Sequence, residues 1–206
     1  MVTDTSLPFA ICMLFIAMYV IIVKFRIPLI RNNVPCRILA ATFFPLTAFI
    51  TYYVSSIYNS KVKWMAKLNS FSHKRVALSK QGLDTYGVHL FGTQIKENTD
   101  STKGAYFYLD SAYIKDMIYF GLIVFIMILV FYTIILYASV VENDRTLAIW
   151  MISIALYSMF NNLLLLPAEN ASMFGIWYAL DLLMWHRKKE HLQCTGNKRK
   201  KIEHAA

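Results

Sequence analysis

The chain has 206 residues, of which 57% are hydrophobic and only 16% charged, and its formal net charge is +9 at pH 7. The mean hydropathy of +0.45, with so few charged residues, excludes a soluble domain with an ordinary charged surface. These values predict an integral membrane protein.

Five stretches are apolar and long enough, or nearly long enough, to be transmembrane helices. A hydrocarbon core of about 30 Å takes roughly 20 apolar residues per helix. The sequence lacks the alternating segments of about ten residues that are typical of barrel strands. We therefore predict an all-α, polytopic membrane protein. The predicted spans are residues 7–23, 38–57, 117–138, 147–167 and, as the shortest, 171–185.

Lysine and arginine are unevenly placed between these spans, and this predicts their orientation. The segment before residue 7 has no Lys or Arg, so the first span is not expected to be a cleavable signal peptide. The connection at 24–37 and the C-terminal tail are both basic, which places them in the cytoplasm by the positive-inside rule. The predicted organisation is two N-terminal spans within 1–58, one large extracytoplasmic loop at 59–116, three spans within 117–185 and a cytoplasmic tail at 186–206.

The basic tail and the cysteines indicate neither a nucleic-acid site nor a metal site. Clustered Lys and Arg beside a membrane can bind anionic lipid or nucleic acid. Because two basic segments agree on one topology, a topology anchor is preferred, and no nucleic-acid partner is predicted. The cysteines have neither metal-ligand spacing nor the pattern of a disulfide framework, so no metal site is predicted. They are Cys12, Cys36 and Cys194.

The loop at 59–116 is rich in basic residues, which is unusual for an external segment. Such a loop, next to the outer face of a membrane, would attract an anionic group such as a phosphate or pyrophosphate. A solvated surface that touches lipid headgroups is the alternative, and charge alone favours it. The nine basic residues are Lys61, Lys63, Lys67, Lys74, Arg75, Lys80, Lys96, Lys103 and Lys115, against Asp84, Glu97, Asp100, Asp110 and Asp116.

The order of residues within the loop predicts an anion site at a helix start. Ser72 is expected to cap a helix over 73–86 that ends at Gly87. Lys74 and Arg75 would then lie in its first turn, where free backbone N–H groups favour an anion. Asp110 precedes the third span, where it is either an N-cap or a chemical group.

Four segments in this order resemble a family, the Wzy-type polymerases of bacterial O-antigen and capsular polysaccharide. They are KRVAL at 74–78, GLDTYGVHLFG at 82–92, YLDSAYI at 108–114 and YFGLI at 119–123. Family members carry an Arg that opens a helix, a Tyr-Gly…Leu-Phe-Gly segment, an Asp-Asn-Ser-Tyr-like segment and a Gly in the next helix. The resemblance covers roughly residues 7–185, with specific motifs only in the loop and the start of the third span.

The resemblance implies a glycosyltransferase, related to O-antigen ligases, in the bacterial cytoplasmic (inner) membrane. It would transfer a growing glycan from undecaprenyl pyrophosphate to a sugar hydroxyl of another lipid-linked repeat unit, on the outer side and without a cofactor. Such a reaction needs cations on the leaving pyrophosphate and a base for the hydroxyl.

The same resemblance assigns roles to particular residues. Arg75, with Lys74 beside it, would hold the pyrophosphate. Asp110 would be the base, because related ligases place a His–Asn pair at the start of the corresponding helix. The weaker candidates for substrate contact are His89 and His73, whose expected role in a loop is structural, and Tyr86 and Tyr113, which either pack or line a glycan groove.

Family members are longer and have more spans, and the resemblance covers only their C-terminal half. It therefore implies a partial or truncated form, or a partner chain that supplies the N-terminal half. The amides of Asn161 and Asn162, like Glu169 and Asn170, lie near the outer end of the fourth span and are expected to bond between helices rather than to sugar.

Two other classes of function remain open. One is a non-enzymatic membrane subunit whose basic loop binds anionic lipid or polysaccharide. The other is a transporter, which the near absence of charged residues within the spans disfavours, since Asp181 is the only clear one.

Overall fold

The computed structural model describes residues 32–99, 106–162, 164 and 165, and seven positions between 13 and 21. The predicted fifth span and the basic tail lie outside these residues, as does most of the predicted first span. From residue 32 onward the described residues form helices and no strand, with one isolated antiparallel bridge between Asn98 and Phe107. The predicted all-α class is confirmed for this part of the chain.

Two helices are long and apolar enough to cross a membrane, α1 (Val34–Ser56) and α5 (Gly121–Val141), with mean hydropathies of 1.5 and 2.7. They correspond to the second and third predicted spans. They run antiparallel, because Cys36 lines the same crevice as Val140 and the ring of Phe44 stacks on that of Tyr132, 5.3 Å between centroids. The two helices form the central pair of the fold.

α1 begins earlier than its apolar run suggests, at a capped polar start. The side chain of Asn33 accepts a hydrogen bond of 3.1 Å from the backbone N–H of Cys36, and a proline occupies the first turn. Both features stabilise a helix start. The helix continues through Pro45 to Ser56, close to the predicted end at residue 57.

The third predicted span is divided in the structure. A short helix, α4 (Ala112–Tyr119), precedes α5, and the break falls at Gly121, whose φ of +84° suits glycine. Segment 88–92 crosses over this break, and its His89 carbonyl accepts a 2.9 Å hydrogen bond from the N–H of Leu122. The prediction of one continuous helix from residue 117 was therefore wrong, because the chain breaks at Gly121. The break allows α4 to fold back against α5.

The fourth predicted span is shorter in the structure. α6 (Arg145–Ser158) begins at Asp144, whose side chain accepts a 3.0 Å hydrogen bond from the N–H of Leu147. From Arg145 to Ser158 the helix has 14 residues, with Asp144 as its N-cap. This is short of the roughly 20 residues needed to cross a bilayer. After Ser158 the chain turns, and the carbonyl of Asn161 accepts a hydrogen bond of 3.3 Å from the N–H of Ala112.

Two helices within the polar loop, α2 (Lys63–Phe71) and α3 (Arg75–Tyr86), meet at a tight corner. The prediction that Ser72 caps the second of them was wrong. Ser72 is the C-cap of α2, and its hydroxyl donates to the carbonyl of Asn69. The capping hydrogen bond comes instead from Asn69, whose side chain accepts a 2.9 Å hydrogen bond from the N–H of Ala77 in the first turn of α3.

The core is built where α4 lies among α1, α5 and α6. Ala112, Tyr113 and Ile114 are at most 1% exposed. The hydroxyl of Tyr113 donates to the carbonyl of Ala155 in α6 and lies 3.0 Å from the hydroxyl of Thr47 in α1. α4 is thus fixed between helices, and the residues just before it are held at a defined place.

Candidate functional site

Arg75 and Asp110, which are 35 positions apart in the sequence, lie together in the structure. Arg75 is the first residue of α3, and Asp110 lies just before α4. The Nε of Arg75 is 3.6 Å from the Oδ2 of Asp110, and the side chains of Arg75 and Asp110 are 14% and 21% exposed. At that distance the contact is an ion pair rather than a hydrogen bond, so both groups keep bonding capacity for a ligand.

The turn after α6 holds the other side of the guanidinium. The Nη1 of Arg75 donates to the backbone carbonyl of Phe160 at 2.6 Å and approaches the side-chain oxygen of Asn161 at 3.4 Å. Three separate parts of the chain therefore place this cation: the start of α3, the segment before α4 and the turn after α6. The structural role predicted for Asn161 agrees with this contact.

The carboxyl of Asp110 is a stronger base than an ordinary aspartate. Burial raises its pKa, the negative charge of Glu97 adds to the effect, and Arg75 and Lys115 oppose it. A raised pKa improves a carboxylate as a proton acceptor near neutral pH. The alternative role as the N-cap of α4 was wrong, because Ser111 occupies that position, and the Ser111 side chain makes no capping hydrogen bond to the described residues.

Arg75 lines an apolar cleft of about 190 Å³. Its walls come mainly from α1 and α3 and from the residues that follow α6, and Arg75 is the one charged residue among the described residues of the lining. An apolar cleft with a cation in its lining suits an amphiphile with an anionic head. The lining is completed by Ile50, Thr51, Val54, Ser55, Leu68, Val76, Ser79, Met159 and Phe160.

The other sequence-predicted residues make different contacts. Lys74 is exposed and is the N-cap of α3 in the left-handed region, with a φ of 68°, and His73 is exposed beside it. A ring nitrogen of His89 lies 2.9 Å from the carbonyl of Tyr86. The hydroxyl of Tyr86 accepts a hydrogen bond from the N–H of Lys96. None of these contacts reaches the Arg75–Asp110 pair.

Tyr113 is also placed away from a ligand. Its side chain is enclosed by the bundle, and burial raises the pKa of its hydroxyl. Of the two roles that the sequence left open for Tyr113, packing is the one that its contacts with Thr47 and Ala155 favour.

Three polar residues near the site were not singled out from the sequence. Lys115 forms an ion pair with Glu97 at 2.9 Å and lies 4.8 Å above the ring of Tyr108. Asp116, on the next position of α4, is only 3% exposed. The adjacent charges of Lys115 and Asp116 in an otherwise apolar segment were the available signal. The residues near them, Glu97 and Asn162, lie elsewhere in the chain.

Comparison with known protein families, with curated proteins and with solved structures found no match for this chain. Within the described residues there is no group of three or more His, Cys, Asp or Glu side chains that could hold a metal ion.

Proposed function

We propose that the protein is a membrane glycosyltransferase that polymerises lipid-pyrophosphate-linked oligosaccharide repeat units into a surface polysaccharide. The observation that carries the proposal is the half-buried Arg75–Asp110 pair, whose arginine lines an apolar cleft. A lipid pyrophosphate has a long apolar tail and a strongly anionic head, which match the cleft and its single cation.

The reaction uses each member of the pair once. A hydroxyl of the acceptor sugar attacks the anomeric carbon of the donor glycan, and the bond from that carbon to the pyrophosphate oxygen breaks. The lipid pyrophosphate leaves with the electron pair, and Arg75 stabilises the charge that grows on it. Asp110 takes the proton of the hydroxyl, which its raised pKa favours.

Arg75 and Asp110 neutralise each other before the substrate arrives. When a pyrophosphate enters, Arg75 is expected to turn from Asp110 to the anion, because a phosphate offers the guanidinium a bidentate partner. Asp110 then loses its counter-charge and is freed for the hydroxyl. The pair is thus a resting state that substrate binding opens.

The decisive experiment is complementation in cells whose own polymerase gene has been deleted and whose repeat unit is the native one. With this chain expressed, surface glycan run on a gel is expected to form a ladder of long chains. Arg75→Ala and Asp110→Asn are each expected to reduce polymer at least 100-fold, with normal protein in the membrane. Lys67→Ala, which removes an exposed basic side chain of α2, is the matched control and should leave the ladder unchanged.

Two results would argue against this function. Long polymer from Arg75→Ala would remove the pyrophosphate role, and near-normal polymer from Asp110→Asn would remove the base. Single repeat units from the unmodified chain, with the protein confirmed in the membrane, would point to a partner chain that supplies missing spans. Co-expression of the neighbouring reading frame would then be expected to restore the ladder.

A second candidate function is a non-enzymatic subunit that binds anionic lipid through its basic loop. The surface of α2 favours it, because Trp64 and Phe71 are 53% and 63% exposed and lie beside the exposed Lys63 and Lys67. Aromatic rings beside lysines are typical of helices at a membrane surface. A Lys63→Glu/Lys67→Glu variant that lost function while Asp110→Asn kept it would favour this candidate over the enzyme.

A further inference from the structure

Asp116 is a buried carboxyl that the proposed transfer does not use. It lies on α4 and is 3% exposed, and its Oδ2 has no hydrogen-bond partner among the described residues. The neighbouring Lys115 does not supply one, because its ammonium group bonds both oxygens of Glu97. Buried polar atoms are nearly always paired, so this oxygen requires an explanation.

Asp116 is one of the residues that line a cleft of about 170 Å³ between α4 and the turn that follows α6. The other lining residues are Asn162, Tyr119, Phe120, Leu165 and Lys115, whose charge is paired with Glu97. A water molecule needs about 10–15 Å³ by this measure, so the cleft has room for a group much larger than one water. The rings of Tyr119 and Phe120 are 47% and 37% exposed, which leaves part of each ring available to a ligand.

These side chains suit a neutral ligand with hydroxyl groups. The amide of Asn162 both donates and accepts hydrogen bonds. Burial raises the pKa of Asp116 to about 7, so its carboxyl also has a donating form near neutral pH. A sugar hydroxyl can bond to both groups, and the apolar face of a sugar ring can pack on Tyr119 or Phe120.

The cleft is next to the Arg75–Asp110 pair. Ala112, about one helical turn before Asp116, donates its N–H to the backbone carbonyl of Asn161. The side chain of Asn161 reaches Arg75, and Asn162 is the following residue. Two consecutive asparagines therefore connect the ion pair to the cleft.

We propose that Asp116 and Asn162 bind hydroxyl groups of a sugar residue of the glycan, in a subsite separate from the pyrophosphate site. This inference rests on the proposed function, because the glycan is the substrate that brings sugar to this face of the molecule. It makes Asp116 a determinant of which repeat unit is accepted, rather than a group that reacts.

The test is a binding measurement that needs no catalysis. The purified full-length protein in lipid nanodiscs is titrated with the free repeat-unit oligosaccharide, prepared by partial hydrolysis of the cell's own polysaccharide, and binding is followed by ligand-observed NMR. Wild type is expected to bind saturably. Asp116→Leu, which removes the carboxyl at similar size, should weaken binding at least tenfold, and so should Asn162→Ala, at a half-buried position.

Two controls separate this subsite from the pyrophosphate site. Asp84→Asn, an exposed carboxyl on α3 that pairs with Lys80, should leave binding within twofold. Inorganic pyrophosphate at the same concentration should not compete, because the probe carries neither lipid nor phosphate. Glycerol at the same concentration should not compete, which excludes a site for any small polyol.

The outcomes also distinguish the subsite from the enzyme. Unchanged affinity in Asp116→Leu and Asn162→Ala, or no binding by wild type, would overturn the subsite even if cells make polymer. Affinity lost in both variants would support it, even if the complementation experiment gave no polymer and so removed the transferase.

Discussion

At the scale of single residues, the structure gives different surroundings to two aspartates of the loop's acidic set. Asp110 contacts a guanidinium, whereas Asp116 lines a cleft and has one oxygen without a partner among the described residues. Burial raises the pKa of both carboxyls. Asp110 has a counter-charge at contact distance, whereas Lys115, the cation nearest in sequence to Asp116, is engaged by Glu97. The difference predicts a measurable dependence of stability on pH.

Asp116→Asn is expected to change how stability depends on pH. The pKa of Asp116 is about 7 in the folded protein, above its ordinary value, so between roughly pH 4 and 7 the folded state holds a proton that the unfolded state has released. Wild-type stability from this group therefore falls as pH rises through that window. Each pKa unit corresponds to about 1.4 kcal/mol, so the loss is a few kcal/mol by pH 7.

Thermal unfolding in detergent between pH 4.5 and 8.5 measures this effect. The Asn variant lacks the titrating group, so its Tm should exceed that of wild type by a margin that grows toward pH 7 and is constant above it. Asp84→Asn, an exposed control, should follow the wild-type curve. Parallel curves for wild type and Asp116→Asn would contradict the buried environment of this carboxyl.

Tyr113→Phe distinguishes packing from substrate contact. The change removes a hydroxyl that bonds Ala155 and lies against Thr47, and a lost buried hydrogen bond costs about 1–3 kcal/mol. We expect a lower Tm but unchanged polymer per molecule of folded protein. Polymer that fell more steeply than the amount of folded protein would instead assign Tyr113 to the glycan.

At the scale of elements, the loop crossing at the start of α5 explains two glycines of the family-like motifs. A Cβ added at Gly92 would lie 1.8 Å from the carbonyl oxygen of Tyr119, and one at Gly121 would lie 2.5 Å from that of Leu90. Such distances are possible only without side chains. The Leu-Phe-Gly segment and the glycine of the next helix therefore meet, and they meet at the break between α4 and α5.

Gly121→Ala is expected to prevent this crossing. The new Cβ would meet backbone atoms that cannot move independently, and the φ of +84° disfavours any side chain. We expect loss of most folded protein, measured as the monodisperse fraction after solubilisation. The matched control is Gly82→Ala, whose Cβ would meet the flexible tip of Leu109 and whose helical position gains about 1 kcal/mol of propensity. Equal yields from the two variants would contradict the crossing.

At the scale of the whole molecule, the antiparallel pair α1 and α5 places its two connections at opposite ends. The turn at 57–62 follows the end of α1, whereas the turn at 142–144 follows the end of α5. If both helices span the membrane, these turns lie on opposite sides. The positive-inside rule predicts a cytoplasmic side for the basic segment before residue 38, and we therefore propose that the turn at 57–62 lies on the outer side.

Cysteine labelling tests this arrangement. In a background in which Cys12, Cys36 and Cys194 are replaced by serine, Ser60→Cys is expected to react with a membrane-impermeant maleimide added to intact cells. Asn143→Cys should react only after the cells are opened. Both positions are exposed in the structure, so accessibility depends on the side of the membrane. Labelling of Asn143→Cys in intact cells would contradict the proposed topology.

The site was predictable in part, because some of its signals are local and others are not. Arg75 and Asp110 were selected from the sequence, but their ion pair was not, since the segments that carry them are joined only by packing. Ser72 was a plausible cap by type, yet Asn69 performs the capping because α2 and α3 meet at an angle that no local pattern reports. Asp116 was overlooked for the same reason, since its cleft is closed by the turn after α6.

The sequence by itself determined the helical class that the described residues show. Apolar content and the lengths of apolar runs predict helices that could cross a membrane, because backbone groups in lipid must bond within their own segment. The tertiary structure alone decided that α4 folds back beside α5, that Arg75 meets Asp110 and Phe160, and that Asp116 faces a cleft. Hydrophobicity is a property of one segment at a time, whereas these contacts depend on how separate segments pack. Gly92 and Gly121 permit that packing, because a side chain at either position would meet backbone atoms.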